Sequence, residues 1–296
     1  MKIELMDLIA NELIDVDIIK DMISKYDDMP EENIKKILDS AKKCGYEYSA
    51  LKIATDLDVL EKRTVEEQSK LMEALKECEY DDNALRIATD SDVLEERTAE
   101  EQIKLMKALK ECEYYNNALR IATDPDVLEK RTLEEQIKLM EALKKCEYNV
   151  NALKVAIDKN VLEKRTAEEQ IKLMKALKEC EYYNNALRIA IDKNVLEKRT
   201  LEEQIKLMEA LKECEYNGNA LKMVINNNVL ETKTTEEQIK LMKSQNSVEN
   251  KDELMHSENL IKINNLKELR KYIDSLKEEY GGKTDIKIKD VVKLYK

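Results

Sequence analysis

Apolar side chains recur at helical spacing within a unit that repeats along most of the chain. In the unit 98–131, Leu105, Ala108 and Cys112 follow one another at intervals of three and four residues. This spacing places them on one face of an α-helix, where a packed helix buries its apolar side chains. The pattern predicts a long helix over residues 99–114.

The ends of the helices are marked by residues suited to those positions. Thr98, followed three residues later by Glu101, predicts a capping box in which each side chain bonds a free backbone N–H. A Tyr-Asn-Asn stretch then interrupts the pattern, because Asn favours caps and turns over helix interiors. The apolar spacing resumes over 117–123, and Pro125, which suits the first position of a helix, predicts a short third helix over 125–130.

These features return every 34 residues. The tripeptide Glu-Glu-Gln, a Cys, and a Tyr two residues after that Cys each occur six times at this spacing, which indicates internal repeats. We place the full repeats at 30–63, 64–97, 98–131, 132–165, 166–199 and 200–233, with a partial repeat at 234–243. One unit cannot bury its apolar face alone, so neighbouring units must stack. We therefore predict an all-α fold, a superhelical α-solenoid of six 34-residue repeats with one long and two short helices each.

The sequences on either side of the repeats predict helical ends. Residues 1–29 have an amphipathic pattern and predict an N-terminal helical cap. Residues 244–258 are polar and aperiodic, as expected of a linker, and residues 259–296 regain helical spacing. We expect this last segment to be a cap or docking helix rather than an effector module, because it carries no motif with chemical function.

The segment ALRIATDPDVLEKRTLEEQIKLMEAL resembles the bacterial leucine-rich-variant and HEAT-like solenoids, in which a helix ending in Ala-x-Asp-Pro gives way to a short helix. The resemblance covers residues 30–243 in architecture, although the variant family's paired prolines are absent from most repeats. It implies a right-handed superhelical array that binds other macromolecules.

Composition and charge narrow the range of partners. The chain has 63 acidic and 51 basic residues, a net charge of −12 and no Phe or Trp. Phosphate backbones and anionic membranes repel such a chain unless basic residues are segregated on one face. No apolar run reaches the length of about 18 residues that a transmembrane helix needs, and the N-terminus lacks the apolar core of a signal peptide. We expect a cytoplasmic protein without membrane contact.

The candidate chemical groups favour structural roles. The six cysteines occur once per repeat, with no Cys-x-x-Cys motif and a single His, His256, so we predict buried thiols rather than a metal site or disulfides. Asp-x-Asp pairs such as Asp124 and Asp126 lack the further ligands of a calcium loop and suit helix caps. Because no catalytic constellation or phosphate-binding glycine loop is found, we expect no enzyme activity and no cofactor.

The loop after each long helix holds the candidate binding residues. The Tyr that follows each Cys is expected to pack its ring and direct its hydroxyl to water or a backbone carbonyl. The positions after it vary within a constant frame, as expected of a surface that carries specificity. The predicted partner-binding residues are Tyr48, Asp82, Tyr115, Asn116, Asn149, Tyr183, Asn184 and Asn217. We interpret the chain as a non-catalytic protein-binding scaffold; the alternative is an RNA-binding protein that reads bases through these loop positions.

Overall fold

The computed structural model describes residues 29–244, and this part of the chain is all-helical and contains no strand. The predicted cap 1–29 lies outside the described residues except for Met29. The predicted linker 244–258 lies outside them except for Ser244, and the segment 259–296 lies wholly outside. The chain divides into two units, Met1–Met242 and Lys243–Lys296, and helices α1 to α18 bounded below belong to the first.

Helices of 13, 8 and 6 residues alternate along the described chain, and we term them long, middle and short helices. The long helices are α1 Glu31–Lys43, α4 Val65–Glu77, α7 Ala99–Glu111, α10 Leu133–Lys145, α13 Ala167–Glu179 and α16 Leu201–Glu213. The middle helices are α2 Tyr48–Thr55, α5 Asp82–Thr89, α8 Asn116–Thr123, α11 Val150–Ile157, α14 Asn184–Ile191 and α17 Gly218–Ile225. The short helices are α3 Leu57–Lys62, α6 Ser91–Glu96, α9 Pro125–Lys130, α12 Lys159–Lys164, α15 Lys193–Lys198 and α18 Asn227–Thr232. A further helical stretch covers 235–244.

The helix starts confirm the predicted caps. The side chain of Thr98 accepts a hydrogen bond from the backbone N–H of Glu101, whose carboxylate accepts one from the N–H of Thr98, completing the capping box of α7. The long helices α4, α10, α13 and α16 begin in the same way. Asp124 accepts a hydrogen bond from the N–H of Val127 at the start of α9, so this aspartate acts as a helix cap.

The long helices end three residues earlier than the apolar pattern predicts. Glu113 and Tyr114 both have φ of 54°, in the left-handed region that side chains other than glycine rarely adopt. The N–H of Tyr114 bonds the carbonyl of Leu109, and the N–H of Glu113 bonds that of Lys110, which together form a Schellman motif. The middle helix α8 then begins at Asn116, one residue before the predicted start.

Each helix packs against its counterpart in the neighbouring repeat, long on long, middle on middle and short on short. The middle helices also pack against the long helix that follows in the chain. The shared core is fully buried at Leu105, Met106 and Leu109 of α7, and Cys112 is 2% exposed. The six cysteines are buried free thiols, as predicted.

A buried arginine ties three consecutive repeats together. The side chain of Arg97, 8% exposed, donates hydrogen bonds to the carbonyls of Leu128 (3.1 Å) and Arg131 (2.7 Å) in the next repeat. It also donates to Oε1 of Gln136 (3.3 Å) in the repeat after that. Gln136 is fully buried, and its Nε2 donates to two carbonyls at the C-terminal end of α8.

The same arrangement recurs along the described repeats, and we term it the Arg–Gln ladder. Its arginine–glutamine pairs are Arg63–Gln102, Arg97–Gln136, Arg131–Gln170, Arg165–Gln204 and Arg199–Gln238. Burial lowers the pKa of Arg63 and of Arg131, because a guanidinium loses hydration inside the protein. The hydrogen bonds to backbone carbonyls and glutamine replace that hydration, so the charge is buried without an ion pair.

We expect Arg131→Met to destabilise the protein by about 2–4 kcal/mol, because it leaves the carbonyls of Leu162 and Arg165 and Oε1 of Gln170 without this donor. The matched control is Arg120→Met, which changes an exposed arginine in the same repeat and should alter stability by less than about 0.5 kcal/mol. Urea unfolding followed by circular dichroism measures both. Equal effects of the two substitutions would show that the ladder contributes nothing particular to stability.

The first position of the ladder lacks its arginine. Residue 29, which lies 34 positions before Arg63, is Met29, and Oε1 of Gln68 is buried without a hydrogen-bond partner in the described structure. We expect Met29→Arg to raise the urea midpoint, with a gain of about 1 kcal/mol, by supplying the missing donor. In a Gln68→Leu background the gain should be smaller. An unchanged or lower midpoint in the single variant would contradict this.

Candidate binding surface

The variable positions lie side by side at the N-terminal ends of the middle helices. These positions are the N-cap and the first residue of each middle helix, and we term them the variable edge: 47–48, 81–82, 115–116, 149–150, 183–184 and 217–218. Because neighbouring middle helices pack on one another, these pairs form a row along the stacked repeats. All eight predicted partner-binding residues lie in this row.

The predicted residues take two kinds of place on the variable edge. Tyr115 and Tyr183 are N-cap residues without a side-chain cap, and they are 49% and 48% exposed. Asn149 and Asn217 are N-caps whose side chains accept backbone N–H bonds, so these two amides are engaged in capping. The remaining four begin the middle helices and are exposed: Tyr48, Asp82, Asn116 and Asn184.

Tyr48 occupies a different position on the variable edge from Tyr115 and Tyr183. Tyr48 is the first residue of α2, and the N-cap position equivalent to Tyr115 is Glu47. The ring of Tyr48, 57% exposed, lies beneath Nζ of Lys52, which is 4.9 Å from the ring centroid. The two kinds of tyrosine therefore have different neighbours, a lysine of the same helix for Tyr48 and a tyrosine of the next repeat for Tyr115 and Tyr183.

The edge tyrosines stack on the next repeat. The ring of Tyr115 lies 3.9 Å from that of Tyr148 at an interplanar angle of 8°, and Tyr183 stacks on Tyr216 at 3.8 Å and 10°. Stacking covers one face of each edge ring and restricts its rotation. The edge thus carries two held, half-exposed aromatic rings, 68 residues apart in sequence.

The tyrosine that follows each cysteine has the predicted structural role. The hydroxyl of Tyr114 donates to the carbonyl of Cys78 (2.8 Å), which belongs to the C-terminal end of the preceding long helix. Equivalent bonds join Tyr148 to Cys112 and Tyr216 to Cys180. Burial is the main reason that the pKa of Tyr216 rises to about 12, since the phenolate would lose hydration.

An asparagine beside the edge holds the loop of the next repeat, which the sequence interpretation missed. Nδ2 of Asn117 donates to the carbonyl of Tyr148 (2.6 Å), and Asn151 does the same to Tyr182 (2.7 Å). Asn83 and Asn185 make the equivalent bonds. Because Asn occurs at this position in repeats two to six, its recurrence was a usable signal, but it was interpreted only as a preference for turns.

A row of cations crosses the exposed face of the middle helices, and sequence analysis missed this row as well. It occurs at 34-residue intervals: Lys52, Arg86, Arg120, Lys154, Arg188 and Lys222. Arg120 and Arg188 are exposed and make no hydrogen bond or ion pair with any residue of the described part of the chain. These two arginines differ from the ladder arginines, which are buried or half-buried and donate to carbonyls of the next repeat.

The long helices α1 and α4 leave an open cavity of about 400 Å³. Ser69 lines it where the next five repeats have Ile, and its hydroxyl accepts a hydrogen bond from that of Ser40 (2.8 Å). The rim alternates lysines with acidic residues, so it favours neither sign of ligand charge.

Within residues 29–244, no group of three His, Cys, Asp or Glu side chains is placed to hold a metal ion. No helix in that range is long and apolar enough to cross a membrane. No protein-family model, curated protein or solved structure matches the chain. Functional inference therefore depends on the geometry of the surface itself.

The buried tyrosine hydroxyls predict a defined loss of stability at alkaline pH. A pKa raised from 10 to about 12 means that the folded state favours the neutral phenol of Tyr216. Its contribution is fully present below about pH 10 and is lost as pH rises to about 12. Between these pH values, the free energy of unfolding of Tyr216→Phe should fall less than that of the wild type, as measured by urea unfolding at each pH. Parallel pH profiles for the two proteins would contradict the assignment.

Proposed function

We propose that this chain is a non-catalytic protein-binding scaffold, built as a right-handed superhelical α-solenoid of six 34-residue repeats. One observation carries the proposal: the residues that join repeats are nearly constant, whereas the residues of the exposed variable edge differ from repeat to repeat. The proposal includes no cofactor and no reaction. The buried free cysteines are compatible with a reducing compartment, and we place the protein in the cytoplasm.

The packing of the repeats explains why variation is confined to the edge. Most ladder arginines, their glutamines and the hydroxyl-bonded tyrosines contact equivalent groups of the neighbouring repeats, so a change at these positions costs stability. A change from Tyr115 to Asn149 at the edge replaces an exposed ring with a half-buried amide cap and leaves the core intact. Stacked repeats present such positions as one extended surface.

The chemistry of the edge suits recognition of protein. Tyr115 and Tyr183 offer aromatic rings already held by stacking, so a partner that covers them loses little side-chain freedom. Asn116 and Asn184 offer amides beside these rings, which can donate and accept hydrogen bonds with a peptide backbone. Tyrosine and polar amides are frequent at protein interfaces for these reasons.

RNA binding is the second candidate, and the row of cations beside exposed tyrosines favours it. Against it, Asp90 and Asp124 lie one helical turn from Arg86 and Arg120. Burial raises the pKa of each aspartate, and the attraction of the nearby arginine opposes only a small part of that rise. The chain also carries a net charge of −12. A phosphate backbone therefore meets alternating charges rather than a basic groove, and protein is the better partner.

The test is affinity capture from a lysate of the source organism with the intact chain, with co-purified protein and nucleic acid both quantified. The variant Tyr115→Ala/Tyr183→Ala should lose at least about tenfold of the specifically enriched protein, because it removes both edge rings. The matched control is Lys104→Ala/Lys172→Ala, which changes exposed residues on the long helices of the same two repeats.

Protein that is captured by Lys104→Ala/Lys172→Ala and not by Tyr115→Ala/Tyr183→Ala supports the scaffold proposal and its binding site. Nuclease-sensitive nucleic acid that is retained at physiological salt and lost in the tyrosine variant would instead support the RNA reader. Circular dichroism of each variant verifies that the helices are intact.

A further inference from the structure

We propose that the scaffold binds an extended protein segment bearing two carboxylate side chains, one held by Arg120 and the other by Arg188. This inference rests on the proposed function and specifies its partner. The site consists of two equivalent groups on middle helices α8 and α14, which we term the arginine patches: Tyr115, Asn116 and Arg120, and then Tyr183, Asn184 and Arg188.

The guanidinium groups of the patches have unused binding capacity. Arg120 and Arg188 are exposed and bond to no residue of the described chain, whereas Arg97 and Arg131 are buried with their donors engaged. A free guanidinium presents two parallel N–H groups that match the two oxygens of a carboxylate. Such a pair is short, directional and stronger than a neutral hydrogen bond.

Each patch brings an arginine and an asparagine onto one face of a helix, at the end where the edge tyrosine is the N-cap. Arg120 lies four residues after Asn116, and helical side chains lean toward the N-terminus, so its head group covers the turn that Asn116 and Tyr115 begin. The first repeat demonstrates this reach, since Nζ of Lys52 lies 4.9 Å from the ring centroid of Tyr48, the residue four positions before it. A carboxylate on Arg120 therefore has the amide of Asn116 beside it.

The amides complete the site for an extended backbone. Oδ1 of Asn184 accepts a hydrogen bond from Nδ2 of Asn151 (3.0 Å), which orients the amide and leaves its own N–H groups to donate. Asn116 occupies the same position in the first patch. These donors suit peptide carbonyl groups, and the exposed faces of the edge rings suit apolar side chains next to the acid.

The charges close to the arginine patches, rather than the net negative charge of the whole chain, determine which sign of charge the partner carries there. At physiological ionic strength, exposed charges more than about 8 Å apart are largely screened. Asp124 keeps its negative charge while it accepts the N–H of Val127 as the N-cap of α9, so it attracts Arg120 without bonding to it. A carboxylate at the patches is held by the paired N–H groups of the guanidinium at close range, and long-range attraction is weak.

The repeat geometry sets the spacing of the two carboxylates. Packed helices lie about 8–10 Å apart, so two repeats separate the patches by roughly 16–20 Å. An extended peptide advances about 3.3 Å per residue, which places the two acids about five or six residues apart. Between the patches, α11 offers Val150, 54% exposed, as an apolar contact for the middle of the segment.

The probes are labelled synthetic peptides in which two Glu-Leu pairs are separated by different lengths of Gly/Ser, tested on the full chain by fluorescence anisotropy. Affinity should be highest when the two acids are about five or six residues apart. The double variant Arg120→Glu/Arg188→Glu should weaken this peptide at least about tenfold and should improve binding of the Lys-Leu version. Lys104→Glu/Lys172→Glu makes the same charge change on the long helices and should leave both affinities unchanged.

At the predicted spacing, weaker binding of the Glu-Leu peptide and stronger binding of the Lys-Leu peptide by Arg120→Glu/Arg188→Glu support the arginine patches as the binding site. The inference is overturned if Arg120→Glu/Arg188→Glu and Lys104→Glu/Lys172→Glu weaken binding of the Glu-Leu peptide equally, or if affinity does not depend on the spacing of the two acids. The scaffold proposal still stands in that case if the captured protein depends on the edge tyrosines. Binding of single-stranded oligouridylate in place of the peptides, with loss in Arg120→Glu/Arg188→Glu, overturns both in favour of RNA.

Discussion

The buried guanidinium of the Arg–Gln ladder is the constraint on which the other repeat contacts depend. A charge removed from water must have its donors satisfied, and Arg97 meets this requirement only when carbonyls from the next repeat and a glutamine from the one beyond converge on it. The carbonyls lie at the end of a short helix, where the helix itself supplies no donors. One side chain thereby satisfies helix ends and fixes how three repeats stack, which accounts for its recurrence.

The turn after each long helix leads the chain to the variable edge of the stacked repeats. Two successive residues in left-handed conformation cost about 1–2 kcal/mol each for side chains other than glycine, yet Glu113 and Tyr114 both adopt it. The Schellman bonds satisfy the helix end, and the turn directs the Tyr114 hydroxyl to the carbonyl of Cys78. The backbone strain is balanced by these bonds, and the chain leaves the turn at the edge where Tyr115 begins the next helix.

The arginines of the described repeats form two sets that differ in bonding. Ladder arginines donate to carbonyls of the next repeat, whereas Arg120 and Arg188 lie on the exposed face of the middle helices and bond to no described residue. The tyrosines also form two sets. The hydroxyl of Tyr148 donates to the carbonyl of Cys112, whereas Tyr115 is half-exposed and its ring stacks on the ring of Tyr148. The contacts between repeats are made at core positions, so substitutions at the edge leave these contacts in place.

The helix caps and several helix bounds could be predicted from the sequence, because they depend on local interactions. The Thr98 capping box, the cap at Asp124 and the bounds of α9 depend on residues within one turn of each other, so the pattern alone predicts them. The end of α7 was misplaced because Glu and Tyr carry no sequence sign of a left-handed turn. The Arg97–Gln136 contact, the Asn117 bond and the stacked rings join residues 31 to 39 positions apart. Only the relative orientation of packed repeats brings such residues together, and it also decided which arginines are buried and which remain free.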